Sequence, residues 1–255
     1  MSGLDSALDA IAQTPQLLVA LDFDGVLAPL VDQPGDAVML PESHRAIERL
    51  VDLNQTSVAL VSGRPLESLI RLAKVPENVL MIGSHGVEMR LESGVVAVSL
   101  DDDELATLDR FYRSLRKIAT GSPGIYIETK PTGHAVHTRR VSPKETERVH
   151  AAVLEAAKDI SADFTVRHGK DILEFSVRGA TKGDGVQLLK KRVAASAALY
   201  AGDDVTDEDA FAVLGDGDLG IKVGPGDTLA RYRVADAHEF AATLTRLANA
   251  RAIGR

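Results

Sequence analysis

The chain has 255 residues, a formal net charge of −8 and no cysteine. The lack of cysteine excludes disulfides, thiolate zinc sites and cysteine nucleophiles. The acidic balance argues against binding to nucleic acid or to anionic membranes, because both need a basic surface. With 45% hydrophobic and 26% charged residues, the composition is typical of a globular protein that builds its own core.

The N-terminal residues lack the basic segment and the apolar stretch that a signal peptide requires. No apolar run approaches the ~20 residues that span a bilayer. We therefore expect a cytoplasmic protein that binds neither nucleic acid nor membranes, and a monomer is the favoured oligomeric state.

The first part of the chain alternates strands and helices. The apolar run 17–21 is typical of a strand that is buried on both faces. A helix is predicted over 41–53, a strand over 56–61, a short helix over 65–73 and a strand over 78–83. This order is typical of a parallel sheet with crossover helices.

The pattern changes near Asp101. A helix over 101–118 is followed by two alternating strands, 124–130 and 134–140, which the turn Pro131-Thr132-Gly133 joins as a hairpin. The next helix, over 143–158, begins behind a capping box at Ser142, and 164–177 forms a second hairpin that turns near Gly169. The order helix, hairpin, helix, hairpin predicts a separate α+β unit.

The first pattern then returns, with a helix marked by Val186, Leu189 and Val193 and with strands over 197–202 and 219–224. The predicted fold class is therefore α/β, with a Rossmann-like parallel-sheet core interrupted by an inserted α+β domain. We assign residues 1–100 and 178–255 to the core and residues 101–177 to the insertion.

Polar residues follow several of the buried strands. In open α/β sheets, ligands bind outside the carboxyl ends of the strands, so these residues are candidates for a functional site. They are Asp22 and Asp24 after the first strand, Ser62-Gly63-Arg64 after the second, Gly83-Ser84-His85-Gly86 after the third, and Gly202-Asp203-Asp204 with Asp207 after the strand 197–202.

Asp22, Asp24 and Asp203 would repel one another at one point unless a cation lay between them. Mg²⁺ is the natural choice, since it takes oxygen ligands, and Lys182 is a second candidate for the missing positive charge. An aspartate held in this way can attack a phosphoryl group to give an aspartyl-phosphate.

Asp24 lies two residues beyond Asp22 and points to the same side of an extended strand, so it can protonate the leaving alkoxide and later take a proton from water. Ser62 can donate to a phosphate oxygen, and Lys182, at the head of a helix, can hold both Asp22 and the phosphate.

These segments resemble a known superfamily. Asp22-Phe23-Asp24-Gly25-Val26, Ser62-Gly63-Arg64, Lys182 and Gly202-Asp203-Asp204 resemble, in order, the four motifs of haloacid dehalogenase-like phosphohydrolases. The resemblance implies that Asp22 is the nucleophile, that Asp24 is the general acid and base with its backbone carbonyl on Mg²⁺, that Ser62 and Lys182 bind phosphate, and that Asp203 is a metal ligand. Whether Asp203, Asp204 or Asp207 binds the metal directly stays open. Val26 stands where the family usually has threonine, which leaves the bracing of this loop in question.

A narrower resemblance is to the trehalose-6-phosphate phosphatase family, and it extends from residue 22 to 211. It rests on the segments 84–88 and 202–211, on the spacing of Glu128-x-Lys130 and His137-x-Arg139, and on Gly169-Lys170 followed by Glu174. It implies that the insertion is a cap that closes over a disaccharide phosphate. The expected substrate ligands are Arg64, Glu128, Lys130, His137, Arg139 and Glu174, with His85 and Glu88 as further contributors from the core.

The strand pattern of the insertion agrees with this reading. Tyr126, Glu128 and Lys130 share one face of a strand, as Ala135, His137 and Arg139 do on its neighbour. Such a polar face suits a partner rich in hydroxyl groups, and the less favoured alternative is a solvated sheet surface. His134 and His137 do not form a metal pair, because their odd spacing sends them to opposite faces.

The predicted activity is the Mg²⁺-dependent hydrolysis of trehalose 6-phosphate, a small-molecule partner, to trehalose and phosphate. The core motifs do not separate this substrate from glucosylglycerol phosphate or sucrose phosphate. A phosphoacceptor signalling domain is a rival from another class, which the second acid at Asp24 disfavours because it would hasten hydrolysis. A binding module without catalysis is disfavoured by the intact set Asp22, Asp24, Lys182 and Asp203.

Overall fold

The computed structural model describes residues 3–91, 94–97, 100–169 and 171–253. The chain divides into two compact units. The first unit comprises Met1–Val96 together with Ala180–Arg255, and the second comprises Ala97–Gly179.

The first unit is an α/β structure. Its helices are α1 (Gly3–Ile11), α2 (Pro41–Val51), α3 (Leu66–Ala73), α6 (Lys182–Arg192), α7 (Glu208–Ala212) and α8 (Ala237–Ile253). Its strands are β1 (Leu17–Leu21), β2 (Thr56–Val61), β3 (Leu80–Gly83), β4 (Glu88–Leu91), β5 (Gly94–Ala97), β10 (Ala197–Gly202), β11 (Leu219–Val223) and β12 (Tyr232–Val234), with the last residue of β5 being the first of the second unit.

The eight strands form one sheet in the order β12-β11-β10-β1-β2-β3-β4-β5. The strands from β12 to β3 pair in parallel, whereas β4 runs antiparallel to β3. The predicted α/β class is thus confirmed, and the sheet is mixed at one end. Since β1 lies between β10 and β2, the residues that follow these three strands lie side by side at one edge of the sheet.

Strand β1 is buried along its whole length, as its apolar run predicts. Leu17, Val19 and Leu21 belong to one hydrophobic cluster, on one side of the sheet, and Leu18 and Ala20 belong to a second cluster. Because successive side chains of a strand point to opposite faces, an unbroken apolar run fits only a strand with a core on both sides.

The second unit is an α+β structure. It comprises α4 (Asp102–Thr120), β6 (Tyr126–Lys130), β7 (Gly133–His137), α5 (Pro143–Ile160), β8 (Thr165–Gly169) and β9 (Ile172–Ser176). The sheet order is β6-β7-β9-β8, and all of its pairs are antiparallel. Phe111 of α4 and Val149 of α5 pack with Val136, Leu173 and Phe175 in its core, which covers one face of this sheet with the two helices.

Several boundaries differ from those expected from the sequence. Helices α1 and α8 and strands β4, β5 and β12 were not predicted. The strand predicted over 134–140 is present as β7, but it ends at His137, so the predicted C-terminal end was wrong. The Thr138 backbone N–H and hydroxyl both donate to the Asp171 carbonyl, and a turn follows in which Val141 N donates to Thr138 O. Among the described residues, no helix combines the length and hydropathy needed to cross a membrane.

A buried arginine joins the unpredicted helix α8 to the start of the chain. The Arg251 side chain is 1% exposed, and its guanidinium donates to the backbone carbonyls of Ala12, Thr14 and Gln55. These carbonyls flank β1 and β2, so the arginine fixes both strand entries.

We expect Arg251→Met to lower the free energy of unfolding by roughly 2–4 kcal/mol, since buried carbonyls would lose their donors. Urea denaturation followed by circular dichroism measures this change. Arg192→Met, at an exposed position at the end of α6, is the matched control. An equal loss in both variants would contradict the role of the buried guanidinium.

Candidate active site

Three of the predicted acids meet at the edge of the sheet where β1 and β10 end. One carboxylate oxygen each of Asp22, Asp203 and Asp207 lies within 4.8 Å of the others. Asp22 follows β1 directly, and its backbone N–H donates to Ala201 O on β10, which continues the parallel pairing beyond the strand. The convergence therefore follows from the adjacency of β1 and β10.

Asp22 and Lys182 form a buried ion pair. The Lys182 Nζ lies 2.7 Å from Asp22 Oδ2 and 2.7 Å from Asp207 Oδ1, and the other Asp22 oxygen accepts from Phe23 N at 2.6 Å. Lys182 is the first residue of α6, which starts behind a capping box of Thr181 and Asp184. The start of α6 thus places the Lys182 ammonium in contact with Asp22, the predicted nucleophile.

The charges in this cluster shift the titration of its members. Burial raises the pKa of Asp22, Lys182 opposes this, and the Asp207 carboxylate adds to it. Burial alone would lower the pKa of Lys182, but the Asp22 and Asp207 carboxylates raise it above its ordinary value. Lys182 is therefore a permanent ammonium, and one positive charge is shared between two carboxylates.

Asp207 is a fully buried carboxylate with four donors. Its Oδ1 accepts from Lys182 Nζ and from the Tyr200 hydroxyl, and its Oδ2 accepts from the backbone N–H groups of Asp203 and Asp204. Both oxygens are thus committed within the protein. Asp204 is exposed, and its carboxylate accepts from Val205 N at the head of the following turn.

Asp203 has the chemistry of a metal ligand. In the part of the chain that the structure describes, no hydrogen bond reaches its carboxylate, although this lies beside the backbone of the loop after β1. A Cβ at Gly25 would come within 2.1 Å of Asp203 Oδ2, so only glycine permits this approach. Burial, followed by repulsion from Asp207, raises the pKa of Asp203 to about 7.

The donor set fits a hard divalent cation. Asp22 and Asp203 offer carboxylate oxygens, which are the ligands that Mg²⁺ prefers, and a cation would offset the repulsion that burial strengthens among these acids. Asp207 is the poorest ligand of the three, because its oxygens already accept four hydrogen bonds.

Asp24 lies apart from this cluster in an ion pair with Arg64. The guanidinium donates from Nε to Asp24 Oδ2 at 2.5 Å and from Nη2 to Oδ1 at 2.6 Å, and it also lies over the Phe23 ring. The turn after Asp24 is closed by backbone hydrogen bonds from Gly25 N to Ala28 O and from Leu27 N to Phe23 O. Val26 is buried in the core, so this turn forms without the usual hydroxyl.

The segments after β2 and β3 pack against each other. Ser62 is buried, its hydroxyl accepts from Arg64 N, and its carbonyl accepts from His85 N. The His85 ring lies over Gly63, where a Cβ would be 2.6 Å from the ring. Glu88 accepts from the Ser84 hydroxyl and from Leu66 N at the head of α3, so its carboxylate is engaged within the unit.

The predicted substrate ligands of the second unit lie on the sheet face opposite its helices. The pairing of β6, β7, β9 and β8 places Glu128, Lys130, His137 and Glu174 together on that face. His137 Nε2 lies 2.9 Å from Glu128 Oε2, and Lys130 Nζ donates to Glu174 Oε1 at 2.5 Å.

Two further predicted residues have a different status. Arg139 was expected on the same strand as His137, but β7 ends at His137 and Arg139 lies in the exposed turn that follows. Lys170, part of the resemblance described above, lies outside the described residues. On the other face, His134 is buried between the rings of Phe111 and Tyr112, and its Nε2 lies 3.2 Å from Leu108 O, which agrees with the exclusion of a histidine metal pair.

Two polar residues that contact the acid cluster were not predicted from the sequence. Tyr200 on β10 donates to Asp207, and Lys222 on β11 donates from Nζ to the Asp203 carbonyl at 2.5 Å. Both side chains are buried in strands that are otherwise apolar or glycine. A polar residue inside such a run is itself a signal, since it is costly to bury without a partner.

Solved structures show the fold of this protein. A haloacid dehalogenase-like hydrolase from Bacteroides thetaiotaomicron superposes with a TM-score of 0.68 at 14% identity, covering 89% of this chain and 97% of that one. The trehalose-6-phosphate phosphatase C-terminal domain of C. albicans gives a TM-score of 0.79 at 22% identity, covering 97% of both chains. The fold is therefore that of the haloacid dehalogenase-like hydrolases.

A family model classifies the chain more narrowly than the fold does. The model of the trehalose-phosphatase family matches residues 20–237, and a crystal structure of a trehalose-6-phosphate phosphatase related protein superposes with a TM-score of 0.75 at 28% identity, covering 91% of this chain and 97% of that one. The chain belongs to the trehalose-phosphatase family.

Curated relatives agree with this assignment. Trehalose 6-phosphate phosphatase RA3 of Zea mays is 30% identical over 265 residues, which cover 94% of this chain and 72% of that protein. The bifunctional trehalose-6-phosphate synthase/phosphatase of Thermoproteus tenax is 30% identical over 241 residues, covering 91% of this chain. This chain spans only 32% of the length of the Thermoproteus protein.

Asp207→Asn should lower the free energy of unfolding by about 3 kcal/mol, because an amide nitrogen would replace one carboxylate oxygen and face the two donors that this oxygen accepts from. Chemical denaturation measures the loss. Asp204→Asn, in the same turn but exposed, is the control and should change the free energy by less than ~1 kcal/mol. Similar values for the two variants would show that the four hydrogen bonds of Asp207 do not stabilise the fold.

Proposed function

We propose that this protein hydrolyses trehalose 6-phosphate to trehalose and phosphate, with Asp22 as the nucleophile. The observation that carries the proposal is the buried contact of Asp22 with Lys182 beside the Asp203 carboxylate, in a chain of the trehalose-phosphatase family. The names of its relatives support the substrate, and the chemistry of the site supports the reaction.

In the first half-reaction, an Asp22 oxygen attacks phosphorus while the bond from phosphorus to the sugar oxygen breaks, and Asp24 gives a proton to the leaving alkoxide. In the second, Asp24 takes a proton from water, whose oxygen attacks phosphorus and releases Asp22. Lys182 carries three N–H donors, of which Asp22 and Asp207 accept two, so the third suits a phosphate oxygen. The Ser62 hydroxyl is the second proposed phosphate donor.

Arg64 donates a hydrogen bond to each of the two carboxylate oxygens of Asp24. The first half-reaction needs a proton on one of these oxygens. We infer that Arg64 orients Asp24 and gives up one of its two hydrogen bonds when Asp24 is protonated. Its predicted contact with substrate fits this exchange, because a guanidinium donor released from Asp24 can bind a substrate oxygen.

Asp22 and Asp203, together with the backbone carbonyl of Asp24, are the proposed ligands of Mg²⁺. When bound, Mg²⁺ would supply charge stabilisation for the phosphoryl group. Lys222 holds the carbonyl of Asp203, and Asp207 holds its backbone N–H, so this residue is fixed from both sides.

The second unit is the proposed substrate-specificity cap. Its face offers two carboxylates, an ammonium and an imidazole, which suit the hydroxyl groups of a disaccharide, and Arg139 in the turn beyond β7 remains a proposed ligand. A site with many polar groups discriminates strongly, because a substrate that lacks a hydroxyl leaves one of these groups without its hydrogen bond.

The test is phosphate release from a panel of sugar phosphates, with Mg²⁺ and then with excess chelator. We expect trehalose 6-phosphate to exceed sucrose 6-phosphate, glucosylglycerol phosphate and glucose 6-phosphate by roughly tenfold or more in kcat/KM. Asp22→Asn should lower kcat by more than about a thousandfold. A chelator should stop turnover, and added Mg²⁺ should restore it.

Each part of the proposal is contradicted by a different experimental result. A preference for another sugar phosphate would overturn the substrate, and undiminished rates in chelator would overturn the metal requirement. A stable phosphoprotein with no turnover would instead identify a phosphoacceptor domain. Retained activity in Asp22→Asn would exclude Asp22 as the nucleophile.

Glu128→Ala tests whether the second unit recognises the sugar. We expect kcat/KM for trehalose 6-phosphate to fall by roughly a hundredfold, while hydrolysis of para-nitrophenyl phosphate changes by less than about threefold, since the small aryl ester has no sugar to bind. Glu147→Ala, at an exposed position on α5, is the control. Equal losses on both substrates would mean that this sheet face is only a solvated surface.

A further inference from the structure

Tyr200 contacts the acid cluster but belongs to none of the sequence motifs described above. It lies on β10, three residues before Asp203, and its ring is fully buried with an edge-on contact to Phe211. Its hydroxyl donates to Asp207 Oδ1 at 2.6 Å. Neither the proposed metal site nor the proposed sugar contacts use this side chain.

The phenol has a specific task, because a phenylalanine would fill nearly the same space at lower cost. Burying a hydroxyl is unfavourable unless it is hydrogen-bonded, and Tyr200 meets this condition through a buried carboxylate. Burial and then the charge of Asp207 raise the pKa of Tyr200 well above its ordinary value. The phenol therefore keeps its proton and acts as a donor.

Tyr200 shares its acceptor with the catalytic lysine. Asp207 Oδ1 accepts from both Tyr200 and Lys182, and Lys182 Nζ is equally distant, at 2.7 Å, from Asp207 and from Asp22. The partly positive hydrogens of two donors on one carboxylate oxygen repel each other, so each donor is held less tightly than a single donor would be. Without the phenol, the ammonium would be drawn toward Asp207 and away from Asp22.

We propose that Tyr200 is a positioning residue, which acts through Asp207 to direct the Lys182 ammonium at Asp22 and at the phosphoryl group. This inference rests on the proposed function, since it assigns Asp22 and Lys182 their roles. The effect lies on the chemical step that every phosphate ester shares, so it is independent of sugar recognition.

The experiment compares Tyr200→Phe with two fluorinated side chains introduced at the same position. Para-fluorophenylalanine fills part of the hydroxyl volume but donates no hydrogen bond, whereas meta-fluorotyrosine keeps the donor. We expect kcat to fall roughly tenfold for phenylalanine and para-fluorophenylalanine, on trehalose 6-phosphate and on para-nitrophenyl phosphate alike, with KM changed by less than about twofold. Meta-fluorotyrosine should restore kcat to within about threefold of the wild-type value.

The controls separate this inference from folding and from the proposed function. Tyr232→Phe removes a phenol from β12 of the same sheet and should leave kcat unchanged, and circular dichroism shows whether each variant is folded. An inactive wild-type protein would overturn the proposed function. An active wild type with unchanged kcat in folded Tyr200→Phe, or loss of kcat with meta-fluorotyrosine as well, would overturn the role of the phenol alone.

Discussion

The site in the first unit depends on one ammonium group, which lies between two buried carboxylates. Lys182 contacts Asp22 and Asp207 at 2.7 Å each, and all three side chains are buried. Carboxylates are costly to remove from water unless they are paired, so the lysine is what allows an acid to end a buried strand. The same contact joins β1, α6 and the turn after β10, which are far apart in the chain, and it fixes the orientation of the proposed nucleophile.

The second constraint is the close approach of backbone to these acids. A Cβ at Gly25 would lie 2.1 Å from an Asp203 oxygen, and one at Gly202 would lie 2.2 Å from the Asp207 carboxyl carbon. Glycine at both positions lets the loops after β1 and β10 meet with their carboxylates close together. Burial, followed by repulsion from the Asp207 carboxylate, raises the pKa of Asp203 to about 7. The arrangement suits a site that binds a cation.

In the proposed function, the two units divide the chemistry. The first unit carries the groups that hydrolysis of any phosphate ester needs. The second unit carries a sheet face on which acidic and basic side chains are paired with each other. Glu128 is paired with His137, and Glu174 with Lys130. These pairs fix the directions of the side chains before a sugar binds, and a bound hydroxyl group must then share or replace a hydrogen bond that already exists.

The sequence by itself determined the features that depend on local pattern. The run 17–21 defined a buried strand, the capping residue Ser142 stands where a helix begins, and the order of strands and helices defined the α/β class. The acids after the strands, with the family resemblance, indicated the site. Tertiary structure alone decided that Arg64 forms an ion pair with Asp24 and that Asp207 accepts hydrogen bonds from four donors. It also decided that Tyr200 and Lys222 contact the acid cluster and that Arg139 lies beyond the end of β7. These features rest on contacts between segments distant in the chain, and no local periodicity encodes which side chain completes a hydrogen bond across a sheet.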